Sequence, residues 1–167
     1  MLKKYSKQRK GFTLVELMVA ISIIGILSSI VYANFGEARK SSRDDIRKTS
    51  MKELQLAIEF YKAQNDRYPV AGCSVAAGSY AEASASCIDY ITGLIPDYIP
   101  ALPRDPSSEN TPNVGFMYRT NAAGTDYKLM IKDAVEVKVT TTGDEYANNI
   151  AGDTDTYAVY SAGGINW

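Results

Sequence analysis

The chain has 167 residues, 46% of them hydrophobic, and a formal net charge of −1. It contains no histidine, which removes histidine-based acid–base catalysis, Ser-His-Asp and Cys-His nucleophile systems and the commonest metal ligand. The small net charge hides an asymmetry: Lys3, Lys4, Lys7, Arg9 and Lys10 precede the first acid, and the other 13 basic residues face all 19 acidic ones, which speaks against a nucleic-acid-binding body.

Residues 1–11 are basic, end in Gly11, and read as a leader. From Phe12 the pattern is apolar on all faces, and after Glu16 no charged residue appears until Glu37. That is roughly the ~20 residues a helix needs to cross a bilayer. A helix apolar all round belongs in a large core or a membrane, and a body of about 130 residues is too small to bury it. Leu, Ile and Val each favour insertion by about 0.3 to 0.6 kcal/mol, which outweighs the cost of Glu16 near the helix end. A basic head before the segment and an acidic body after it is the positive-inside arrangement, with a cytoplasmic N-terminus and an exported body.

Past Phe35 and Gly36, residues 37–66 are charged and free of proline. Met51, Leu54, Ile58 and Tyr61 fall three and four residues apart, predicting an amphipathic continuation of the same helix. Unbroken to about Gln64, it would be on the order of 80 Å long. Asn65-Asp66-Arg67-Tyr68-Pro69 should end it, because the residue before a proline is pushed out of the α region. Val70 to Ser86 reads as an irregular segment, Cys87 to Leu94 as a short helix, and Pro96, Pro100, Pro103 and Pro106 impose an extended path. Cys73 and Cys87, the only cysteines, either close a short loop as a disulfide worth ~3 kcal/mol or stay as free thiols.

Strands are expected at Gly115 to Thr120 and Asp126 to Lys132, flanking a hairpin-like turn at Asn121 to Gly124. Further strands are expected at Ala134 to Thr140, where Val135, Val137 and Val139 alternate with charge, and at Tyr157 to Ser161. Asp144, Glu145, Asp153 and Asp155 read as a solvated acidic loop or as oxygen ligands to Ca²⁺; otherwise no cofactor is expected. The fold class is α+β, a long N-terminal helix with a small antiparallel sheet against its C-terminal half. The expected divisions are a leader (1–11), a membrane segment (12–36), the amphipathic half-helix (37–66) and a loop-and-sheet head (67–167).

Gly11-Phe12-Thr13-Leu14-Val15-Glu16-Leu17-Met18, between a basic leader and an apolar helix, resembles the prepilin N-terminus of type IV pilins and type II secretion pseudopilins. Tyr61-Lys62, Asn65 to Pro69, Leu102-Pro103-Arg104-Asp105-Pro106 and the stretch from Tyr157 to Gly163 are similar, in scattered patches, to the major pseudopilin's body. The resemblance implies a filament subunit rather than an enzyme. It implies cleavage between Gly11 and Phe12 by a prepilin peptidase and N-methylation of Phe12. It further implies pairing of Glu16 with the N-terminal amine of a neighbouring copy. The implied partners are copies of itself, an inner-membrane assembly platform and ATPase, and minor pilins or pseudopilins. The implied location is the inner membrane as a single-pass protein and then an extracytoplasmic filament.

The chain departs from the family pattern in two places. It has no proline near Tyr32-Ala33-Asn34, so local melting would fall to Gly25 or Gly36. It also lacks the acidic, glycine-rich calcium loop before the terminus, where Ala162-Gly163-Gly164-Ile165 stands instead. A secretion role is the leading expectation, with a pilin for adhesion, motility or DNA uptake as the alternative. Glu16 reads alternatively as a glutamate snorkelling at the bilayer edge. Val31-Tyr32-Ala33 would suit an ordinary signal peptidase releasing a secreted protein, but the apolar run exceeds the usual ~7–15 residues. A membrane-anchored enzyme finds neither Gly-x-Ser-x-Gly nor a phosphate loop here.

Overall fold

The computed structural model describes residues 11–73, 76, 78–84, 86–107, 114–137, 145–147 and 154–167, apart from the side chains of 33 and 34. Helix α1 runs from Leu14 to Asn65 without a break. The chain divides into two compact units, residues 1–39 and 40–167. In the first, every described side chain from Leu14 to Arg39 is exposed.

In the second unit, Met51, Leu54 and Ile58 of α1 are fully buried and Ala57 nearly so, as their spacing predicts. Their partners are aromatic and aliphatic: Tyr90, Ile91, Leu94, Phe116, Tyr118, Tyr127, Leu129 and Ile131. The helix stops at Asn65 because Asp66 takes a left-handed φ of 57°, a C-terminal cap usually given to glycine. Asn65 Nδ2 donates to the Tyr61 carbonyl at 2.9 Å and Lys62 to the Asp66 carbonyl, so the last carbonyls are not left bare.

Strands β1 (Val70–Ala71) and β3 (Ile91–Thr92) pair antiparallel. β2 (Ala81–Glu82), β4 (Gly115–Thr120), β5 (Tyr127–Lys132) and β6 (Tyr157–Tyr160) form an antiparallel sheet in the order β2-β4-β5-β6. The β4–β5 register places Thr120 opposite Tyr127, so the hairpin is closed by residues 121–126. Phe116, Tyr118, Leu129, Ile131, Tyr157 and Val159 point to the main core, while Met117, Met130 and Ala158 make a second cluster with Tyr80 and Tyr160.

Two expectations are corrected. Residues 87–94 form strand β3 and turns instead of a helix, because Ile91 and Thr92 give their backbone groups to β1. Residues 134–137 are not a strand, and 138–140 lie outside the described residues. There the backbone donors are taken elsewhere: Val135 N–H goes to the Asp155 carbonyl at 3.1 Å, and those of Glu136 and Val137 go to the Asp44 carboxylate at 3.1 and 2.7 Å. The stretch expected to be irregular, 70–86, also holds the short strands β1 and β2.

After β6 the chain closes in a 3-10 turn at Gly164–Asn166. The Asp126 carboxylate accepts from Gly163 N–H, Ser161 Oγ and Thr125 Oγ1, each at 2.9 Å. Hydrogen bonds from Thr125 and Ser161 hold its pKa below the usual aspartate value. Close packing also explains the glycines here: a Cβ on Gly164 would lie 2.0 Å from the Tyr127 carbonyl oxygen, and one on Gly163 would lie 2.4 Å from Asp126 Oδ1.

Candidate processing and assembly site

Gly11 and Phe12 precede the helix and are exposed, Phe12 at 92%. A Cβ on Gly11 would meet nothing within 4 Å, and its φ lies outside the left-handed range. The fold therefore makes no demand for glycine at this position.

Thr13 and Glu16 form a capping box. Glu16 N–H donates to Thr13 Oγ1 at 3.2 Å, while Thr13 N–H and Thr13 Oγ1 both donate to Glu16 Oε2 at 2.8 Å. Such a reciprocal pair satisfies backbone donors that the first helical turn would otherwise leave without partners. It also sets a carboxylate at the positive end of the helix dipole. The Thr-x-x-Glu spacing is the signal that could have found it. Glu16 therefore already has hydrogen-bond partners within its own chain. A carboxylate accepts about four hydrogen bonds, so Oε1 still has capacity.

From Leu14 onward the helix contains an 18-residue window of mean hydropathy 2.4 with none of it buried, long and apolar enough to cross a membrane. Two of its serines are satisfied locally: Ser22 Oγ donates to the Met18 carbonyl and Ser29 Oγ to the Ile26 carbonyl, both at 2.7 Å. Neither hydroxyl would enter lipid without a partner. Glycines 25 and 36 have open space around them.

The body holds a charge cluster that pattern reading missed. Arg47 is fully buried, with Asp44 at 4% and Asp105 at 5% exposure. Its guanidinium grips Asp105 with two bonds, Nε to Oδ2 at 2.6 Å and Nη2 to Oδ1 at 3.1 Å. It also donates to Asp44 at 2.6 Å, Ser107 Oγ at 2.7 Å and Glu136 at 3.2 Å. Arg43 makes a second pair of bonds to Glu136. Burial alone would lower the Arg47 pKa, but hydrogen bonds to Asp105 and Asp44 outweigh it and raise the value above that of an ordinary arginine. The Arg43 hydrogen bond, helped by Arg47 and opposed by burial, brings the Glu136 carboxyl down to about 2. The cluster ties α1 to the proline-punctuated segment through Asp105 and to residues 136–137 through Asp44. The arginines' i, i+4 spacing and Asp105 in Leu102 to Pro106 were the visible signals, but neither shows burial.

Cys73 and Cys87 are joined as a disulfide, with Cα atoms 5.6 Å apart. Asp144 and Asp153 lie outside the described residues. Glu145 is exposed, and the Asp155 side chain accepts from Thr154 Oγ1 at 3.1 Å. Among the described residues, no three His, Cys, Asp or Glu side chains group as a metal site.

Residues 6–32 match the family described as "Prokaryotic N-terminal methylation motif". The chain is 35% identical over 103 residues to type II secretion system core protein G of Klebsiella pneumoniae, covering 60% of this chain and 70% of that protein. It is 33% identical over 105 residues to the Vibrio cholerae core protein G, covering 63% and 69%. It is 36% identical over 67 residues to the type IV major pilin protein PilA of Myxococcus xanthus, covering 40% of this chain but only 30% of the pilin. No solved structure matches the chain. A prepilin-type N-terminus, one long helix under a small antiparallel sheet, and similarity over more than two thirds of two core G proteins place the chain in the pilin-like family of type II secretion core protein G.

Proposed function

We propose that this protein is a structural subunit of a type IV-like filament serving protein secretion. In this reading a prepilin peptidase cuts between Gly11 and Phe12 and the new amine of Phe12 is methylated. The subunit waits in the inner membrane with its N-terminus cytoplasmic and its head exported, then joins the filament through α1. Its partners are copies of itself, the peptidase, the membrane platform with its ATPase, and minor subunits; the role calls on no cofactor.

The observation that carries the reading is the exposed apolar first half of α1, capped at its start by Thr13 and Glu16 and preceded by a glycine that the fold does not require. Fifteen large apolar side chains exposed between Phe12 and Phe35 need lipid or other helices around them. A glycine without an internal reason points to an external one, such as an extended peptide held in a protease site. Glu16 keeps Oε1 for the cationic terminus of a neighbouring copy, a charge-assisted bond that would fix axial position between helices. Secretion is preferred over adhesion or motility because the similarity to core protein G extends over 103 residues, whereas that to the pilin stops at 67.

Determining the mature N-terminus from membranes of cells carrying the peptidase tests this. Methylated Phe12 is expected, and Gly11→Val should leave the unprocessed chain; a mature terminus at Asn34 would instead establish an ordinary secreted protein. Glu16→Ala should be cleaved normally yet assemble poorly, and filaments at unchanged yield would refute the pairing role.

A further inference from the structure

Where the apolar half of α1 ends, two aromatic side chains and a cation stand on one face. Tyr32 and Phe35 are 87 and 54% exposed, and the Arg39 guanidinium carbon lies 5.6 Å from the centre of the Phe35 ring. Arg39 is itself exposed, and among the described residues no carboxylate pairs with it. Ser28 and Gly36 share this face and line a groove with these three. A Cβ on Gly36 would meet nothing within 4 Å, so the groove has room beside the helix. Glu37 lies about 200° round the helix from Arg39 and points away from it.

We infer that this groove seats an anionic glycerophospholipid of the outer leaflet, its phosphate on Arg39 and its acyl chains beside Tyr32 and Phe35. The inference rests on the membrane topology proposed above. Leu14 to Phe35 spans roughly 32 Å at ~1.5 Å per residue, which matches a hydrocarbon core of ~30 Å. Tyr32 and Phe35 then lie at the interface, where aromatic belts form. Arg39, about 6 Å beyond Phe35, reaches the level of the phosphates. A guanidinium is a planar fork that binds phosphate through two hydrogen bonds, and the Phe35 ring takes its face and leaves its edge for the lipid. A zwitterionic headgroup brings its own cation to compete for the phosphate, so an anionic one is preferred. The acids in excess after the leader work against anionic lipid, so a preference at this face has to come from Arg39.

The test reconstitutes the full-length chain, with p-benzoylphenylalanine in place of Tyr32, in vesicles of equimolar phosphatidylglycerol and phosphatidylcholine, and identifies the crosslinked lipid by mass spectrometry. Position 32 reads its own leaflet, so the basic leader at the other end of the segment does not contribute. Phosphatidylglycerol should exceed phosphatidylcholine about fivefold, the weight of one arginine at a membrane surface. Arg39→Gln should bring the two lipids to parity, whereas Lys52→Gln, which removes an exposed cation of the amphipathic half, should leave the ratio unchanged. Equal crosslinking by the unaltered chain, a ratio that survives Arg39→Gln, or crosslinks only to a second copy of the chain overturn the lipid site and leave the membrane reading intact. A chain that stays out of the bilayer and crosslinks neither lipid overturns the membrane reading and the site with it.

Discussion

Replacing Arg47 by alanine tests the buried charge cluster directly. Asp44 and Asp105 would remain 4 to 5% exposed with no cation between them. Breaking a buried pair by removing one partner costs about 3–5 kcal/mol, because the remaining charge stays desolvated. Asp44 keeps the N–H groups of Glu136 and Val137, and Asp105 keeps Ser107 N–H and Oγ, both at 2.9 Å. These donors place the loss at the lower end, about 3 kcal/mol, or roughly 10 °C in Tm for a body of this size. Trp167 is the only tryptophan, and its ring lies 4.6 Å from the Arg119 guanidinium, so its fluorescence reports unfolding of the body alone. Denaturant titration of the full chain in detergent gives the energies. Arg47→Met combined with Asp105→Asn should cost less than the two single changes added together, with a coupling of about 0.5–3 kcal/mol. A loss below about 1 kcal/mol for Arg47→Ala, or strict additivity in the cycle, would refute the reasoning.

Glu136 titrates near 2 in the folded chain against an ordinary 4.5. A depressed folded pKa contributes stability that is present above about 4.5 and lost as pH falls through 2. Glu136→Gln should therefore flatten the acid limb of stability against pH in that window, and an unchanged limb would count against the Arg43 and Arg47 pairing. Reducing the Cys73–Cys87 bond opens a loop of sequence separation 14 and should lower stability by about 3 kcal/mol, measured by unfolding with and without reductant; equal midpoints would show the bond to be dispensable. Gly164→Ala forces a Cβ to within 2.0 Å of the Tyr127 carbonyl, so overpacking of about 1–3 kcal/mol is expected, whereas Gly11→Ala should leave unfolding unchanged. A tolerated Gly164→Ala would mean that the closing turn shifts freely.

Much of this protein is determined by local sequence. The apolar run after Glu16, the Met51, Leu54, Ile58 and Tyr61 stripe and the break at Pro69 fix α1, because helix periodicity and proline sterics act within a few residues. Gly115 to Thr120 and its partner around Tyr127 to Lys132 were legible for the same reason: alternation and a glycine-bearing turn are short-range signals. Tertiary structure decided the rest. Val135 and Val137 alternate like a strand, yet their N–H groups go to Asp155 and Asp44, 20 and 93 residues away in sequence, and no local pattern shows that competition. Nothing local in Ala162-Gly163-Gly164 shows that Asp126 and the Tyr127 carbonyl fill the space where side chains would stand. The start of the helix shows both influences. Gly11, Phe12 and Glu16 are marked by the sequence, and the Thr-x-x-Glu spacing allows a cap, but the folded geometry decides that Thr13 and Glu16 bond, because a hydrogen bond depends on where the first turn places its donors.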